Sequence, residues 1–99
     1  MEIDFLPIAS QELIDTSKYY ELQAEGLGTN FLEQIESSLK SIKENPKAWT
    51  KISTNVRRCL TKRFPYCLLY VIEKNMILII AVMPLRRKPK YWSHRLEGL

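Results

Sequence analysis

A chain of 99 residues with 45% apolar and 26% charged content can bury one modest core but not two, so residues 1–99 are read as a single domain with room for one site. Residues 1–50 hold four Lys or Arg and nine Asp or Glu, net −5, whereas residues 51–99 hold eleven and two, net +9; a basic half of this kind attracts polyanions or acidic protein. The longest apolar run, Met76 to Met83, falls short of the roughly 18 residues that span a bilayer, and Met1-Glu2-Ile3-Asp4 has no basic leader region, so a cytoplasmic protein without membrane contact is expected.

Ile3 and Phe5 alternate with polar neighbours, predicting a first strand at about Glu2 to Leu6 that Pro7 ends, because proline has no amide hydrogen for a ladder. Ser10 is suited to cap a helix running to about Glu25, with Glu12 near the positive end of its dipole. Its expected inner face is Leu13, Ser17, Tyr20 and Ala24, and Gly26 can take the left-handed conformation that closes a helix. A second helix, about Thr29 to Glu44, carries Phe31, Leu32, Ile35, Leu39 and Ile42 on one stripe, and Asn45-Pro46 stops it. Glu33, Glu36, Lys40 and Lys43 fall on the opposite side, as a solvated face does.

After a loop holding Trp49, three strand-like runs follow at Val56 to Arg63, Tyr66 to Glu73 and Met76 to Met83. Phe64-Pro65 and Lys74-Asn75 are hairpin-length breaks, Asn being tolerant of the positive φ of tight turns. The last run shows no alternation, as in a strand covered on both faces, and is expected to be central. Pro84 and Pro89 bar further pairing, and Tyr91 to Leu96 is read as a short helical turn or an ordered tail. The order β-α-α-β-β-β predicts an α+β fold: a small, mainly antiparallel sheet with an N-terminal helical hairpin packed on it.

Cys59 and Cys67 form no Cys-x-x-Cys pair and have no neighbouring His, and His94 is the only imidazole. No metal site and no cofactor is expected, and the cysteines read as small buried hydrophobes. The residues singled out for target binding are the basic and aromatic ones of the second half: Arg57, Arg58, Lys62, Arg63, Arg86, Arg87, Lys90, Tyr91 and Trp92. Of these, the Arg, Tyr and Trp residues of the 86–92 segment are of types enriched at interface hot spots. Trp92 fits either that surface or the core under the sheet.

Several phrases in order resemble the RelE/ParE toxin superfamily. They are Gly26-Leu27-Gly28-x-x-Phe31, Val56-Arg57-Arg58, Phe64-Pro65-Tyr66 with Tyr70, Ile80-Ala81-Val82, and Arg86-Arg87-x-Pro89-x-Tyr91-Trp92. The set covers nearly the whole chain and is most similar to the ParE, plasmid-stabilisation branch. The resemblance implies a type II toxin neutralised by, and assembled with, a cognate antitoxin. It implies action on DNA gyrase in the ParE branch, or cleavage of ribosome-bound mRNA in the RelE branch.

Against the RelE pattern, the stretch where many relatives place a His reads Met83-Pro84, and Cys67 follows Tyr66 where mRNA-cutting relatives carry Arg. Metal-free RNA cleavage needs a base for the 2′-hydroxyl, cations for the phosphorane and an acid for the leaving oxygen. Arg58, Lys62 and Arg86 are candidate phosphate clamps and Tyr91 a stacking or orienting group, but no residue in these segments is suited to act as the base. A gyrase poison needs only an ordered surface. A third reading is a basic nucleic-acid-binding module with neither toxicity nor catalysis, although no helix carries a recognition pattern.

Overall fold

The computed structural model describes residues 1–88 and 90–97; the expectation placed on Pro89 lies outside them. The order is β1 (Glu2–Phe5), α1 (Pro7–Gln23), α2 (Leu27–Glu44), β2 (Thr50–Lys51), β3 (Arg57–Leu60), β4 (Tyr66–Glu73), β5 (Met76–Pro84) and a 3-10 turn at Ser93–Leu96. The strands form one sheet in the order β1-β5-β4-β3-β2. β1 is parallel to β5 and every other pairing is antiparallel, so the expected α+β architecture is observed, with β2 added at one edge.

Helix α1 starts at Pro7 rather than Ser10, with Leu6 as its N-cap residue. The same proline that ends β1 supplies a pre-set φ for the first helical turn, where an amide hydrogen is not needed. Glu12 therefore lies beyond that turn and has another role. The buried α1 residues are Ala9 and Thr16, Leu13, Ser17 and Tyr20 are half-buried, and Ala24 is an exposed C-cap beyond the last turn.

Gly26 closes the hairpin at φ +84. Gly28 lies inside α2, where an added Cβ would stand 2.5 Å from the Ser17 carbonyl oxygen; only glycine allows the two helices to approach this closely. The Glu21 carboxylate accepts from both Gly26 N and Gly28 N, satisfying amides at the start of α2. Phe31, Ile35 and Ile42 are buried as the stripe predicts, but Leu32 is 42% exposed and does not belong to it.

Both faces of the sheet are covered, so the chain buries two apolar clusters rather than the single core its length led one to expect. Toward the helices lie Phe31, Ile35, Ile42, Cys59, Leu68, Tyr70, Ile77, Ile79 and Val82. On the other face Val56, Cys67, Leu69, Leu78, Ile80, Ala81, Met83 and Trp92 form a second cluster, joined by Leu6, Tyr91 and Leu96. A bulge sets the phase, because Leu69 pairs with Ala81 and Tyr70 with Ile79. Ile80 and Ala81 thus share one face and Val82 returns to the other. Because β5 is buried on both faces, the run 76–83 shows no alternation of apolar and polar residues. In the β4–β5 turn the positive φ belongs to Lys74, at 55°, rather than to Asn75.

Candidate functional site

Strand alternation separates the adjacent arginines of β3. Arg57 shares the helix side with Cys59, and its Nη1 donates to the carbonyls of Lys47 at 2.9 Å and Trp49 at 2.7 Å. Its register partner Tyr70 donates to Pro46 O at 2.6 Å, so the two side chains hold the loop after α2. Arg58 points to the opposite face, beside Leu69 in the ladder.

There Arg58 meets the segment that follows β5. A cleft of about 270 Å³ is lined by Arg58, Arg87, Lys90, Trp92, Ile52 and Leu85, with Cys67, Leu69 and Met83 as its floor. Two basic stretches distant in sequence thus supply cations to one concavity. Its volume lies below the range of about 300 to 1,000 Å³ usual for small-molecule pockets. A larger groove of about 610 Å³ runs between Ile3 and the outer side of α2, past Glu33, Glu36, Lys40 and Lys43, and contains none of the second-half cations.

The other expected site residues are placed elsewhere. Lys62 borders a small pit with Ser37, Ser41 and Trp49. Arg63 occupies the β3–β4 turn with φ 69°, and Arg86 is exposed outside the cleft lining. The four residues considered for RNA cleavage, Arg58, Lys62, Arg86 and Tyr91, are not gathered into one concavity. Trp92 is 4% exposed and packs as core, although it also forms part of the cleft wall.

A buried network fixes this geometry. The Glu12 carboxylate accepts from Val82 N at 3.1 Å, from Tyr91 OH at 2.7 Å, and from Arg95 through Nη1 at 2.8 Å and Nη2 at 3.0 Å. Arg95 Nη1 also donates to Ile80 O. These two side chains therefore satisfy the β5 edge where β1 has ended, as a further strand would. Arg95 is the more deeply buried, with 6% of its side chain exposed against 22% for Glu12. Two guanidiniums lie over the Tyr91 ring, with Arg87 Cζ 4.4 Å and Arg95 Cζ 4.8 Å from its centroid, a cation–π arrangement. Helix α1 thereby orients Arg87 through Glu12 and Tyr91.

The electrostatics follow from this burial. Desolvation first, and then the hydrogen bond to Glu12, holds the Tyr91 phenol above its ordinary range. The bond to Glu12 raises Arg95 despite burial. Burial pushes Cys67 up to about 11, against the opposing pull of Arg58, so the cleft-floor thiol stays protonated at neutral pH. Among the described residues, no group of three or more His, Cys, Asp or Glu is placed to hold a metal, and no helix is long and apolar enough to cross a membrane.

Sequence reasoning missed Glu12, Arg95, Ile52 and Leu85. Glu12 carried a signal, since it lies on the α1 stripe between Ala9 and Thr16, both buried, and a carboxylate so placed requires a partner. Its partner is 83 residues away, beyond the reach of any local pattern.

A family model described as the ParE toxin of the type II toxin-antitoxin system, parDE, matches residues 3–89. Among solved structures, a chain of the chromosomal ParDE TA system from P. aeruginosa superposes with a TM-score of 0.63 at 13% identity, covering 85% of this chain and 95% of that one. At that identity the likeness establishes the fold alone. A search of curated proteins returns no match.

Proposed function

Because the chain belongs to the ParE toxin family of type II toxin-antitoxin systems, a membership that implies an antitoxin partner, we propose that it inhibits DNA gyrase by docking through the cleft around Arg58, Arg87 and Lys90. The observation that carries this reading is the convergence of those cations, from segments on either side of β4 and β5, above an apolar floor. An inhibitor of this kind needs no acid or base of its own. It has to bind an enzyme already performing strand chemistry and hold one of its states.

The chemistry of the cleft favours this over RNA cleavage. Its described lining carries no carboxylate or imidazole, Cys67 is a thiol pushed up to about 11, and the Tyr91 hydroxyl is committed to Glu12. None of these groups takes a proton from a 2′-hydroxyl at neutral pH.

The test supplies purified chain to a gyrase supercoiling and cleavage assay and, separately, to translating ribosomes with a defined mRNA. Loss of supercoiling with intact mRNA is expected. Codon-positioned cuts with undiminished gyrase activity would overturn the reading.

A further inference from the structure

Resting on the reading that this cleft is the effector surface, we infer that its occupant is a protein segment bearing an apolar side chain flanked by carboxylates, and that the cations do not engage nucleic-acid phosphates. Three observations carry this. First, the aromatic rings are not free to stack on bases. Trp92 is 4% exposed, and the Tyr91 ring is covered by Arg87 on one contact and Arg95 on another. Surfaces that hold single-stranded nucleic acid combine a cationic track with open aromatic platforms, and here the platforms are occupied.

Second, the rim is aliphatic. Ile52 is 36% exposed and Leu85 45% exposed, both lining the cleft. A phosphate backbone would leave these side chains in water, whereas an apolar side chain inserted over Cys67, Leu69 and Met83 would cover them. Third, the volume of about 270 Å³ suits one or two inserted side chains. Arg58, Arg87 and Lys90 around that opening match carboxylates on either side of the anchor, and charge complementarity of this kind fixes register and speeds encounter.

The experiment compares two double variants of the full chain, Ile52→Ser/Leu85→Ser and Arg58→Ala/Arg87→Ala, each verified as folded by circular dichroism and thermal unfolding. Growth arrest on induction is read first, and retention of a labelled 20-nucleotide single strand and duplex on a filter second. The apolar pair should weaken arrest by about tenfold, as the loss of an interface anchor does, without changing the weak, salt-sensitive retention of DNA. Should that double variant unfold, Leu85→Ser alone carries the comparison.

Full arrest by a folded Ile52→Ser/Leu85→Ser chain, with arrest and DNA retention both lost in the arginine pair, would overturn the inference in favour of phosphate contact. The gyrase reading fails separately. Arrest by the wild type without inhibition of supercoiling removes gyrase, while the same arrest comparison still decides what the cleft binds.

Discussion

The two faces of the sheet use the same strands for different ends. The helix-covered face is closed by a hairpin and a cluster of Tyr20, Phe31, Phe64 and Tyr66, whose ring centroids lie 4.8 to 6.0 Å apart. The other face is covered by Trp92, Tyr91 and Leu96 of the segment after β5, together with Val56 and Leu6, and opens at one end into the cationic cleft. Alternation makes this possible, since Cys59 and Arg58 are neighbours in β3 yet face opposite sides. Both faces hold buried apolar clusters, but the exposed cations Arg58, Arg87 and Lys90 line a cleft on the face away from the helices, where substitution costs the fold little.

Substitutions on the two faces should therefore separate stability from action. The largest loss is expected for Phe31→Ala, which empties a fully buried site and should destabilise by about 3–5 kcal/mol, read by denaturant unfolding. Glu12→Ala links the faces. It leaves the buried Arg95 guanidinium unpaired and the Val82 amide without its acceptor, for a loss of about 3 kcal/mol. It also releases Tyr91 and so loosens Arg87, so that target action should fall even below the melting temperature. Unchanged unfolding in this variant would show that the tail is held by apolar packing alone.

Gly28→Ala places a methyl group against the Ser17 carbonyl oxygen at 2.5 Å and should cost about 1–3 kcal/mol as the hairpin is pushed apart. Thermal unfolding with an intact cleft is the expected outcome. An increase in melting temperature would mean that the helices yield more readily than their contact suggests.

A smaller effect comes with pH. Cys59 and Cys67, one on each face, are pushed by burial from an ordinary 9.0 up to about 11. The folded chain then keeps protons that the unfolded chain loses, so stability is full below pH 9 and falls as pH rises from 9 to 11. The melting temperature should decline over that window, with a shallower slope in Cys67→Ala.

Much of the fold was legible locally. The span of β4 and the central, doubly covered character of β5 follow from apolar runs bounded by turn residues. Phe31 and Ile35 follow from helical spacing. Leu32 was misplaced because a stripe one residue wider fits the same pattern, and β2 escaped notice because two residues carry no period.

The cleft was legible as two basic stretches, but not in its membership. Separating Arg58 from Arg57 requires knowing which face of β3 meets the helices. Leaving Arg86 out and admitting Leu85 depends on how the chain turns after Pro84. The Glu12–Arg95 pair depends wholly on tertiary structure. The family phrases have physical counterparts here, with Gly26 in the left-handed turn, Gly28 at the helix crossing and Tyr70 on the Pro46 carbonyl.

The claim that action resides in exposed cations of the face away from the helices is tested most directly by titrating gyrase supercoiling with wild-type and Arg58→Ala/Arg87→Ala chains. Exposed charges contribute within about 0.5 kcal/mol to stability, so the two proteins should unfold at nearly the same temperature. Wild type should inhibit and the variant should need at least about tenfold more protein, the shift expected for losing interface hot spots. Equal inhibition by the two, at matched stability, would contradict the account.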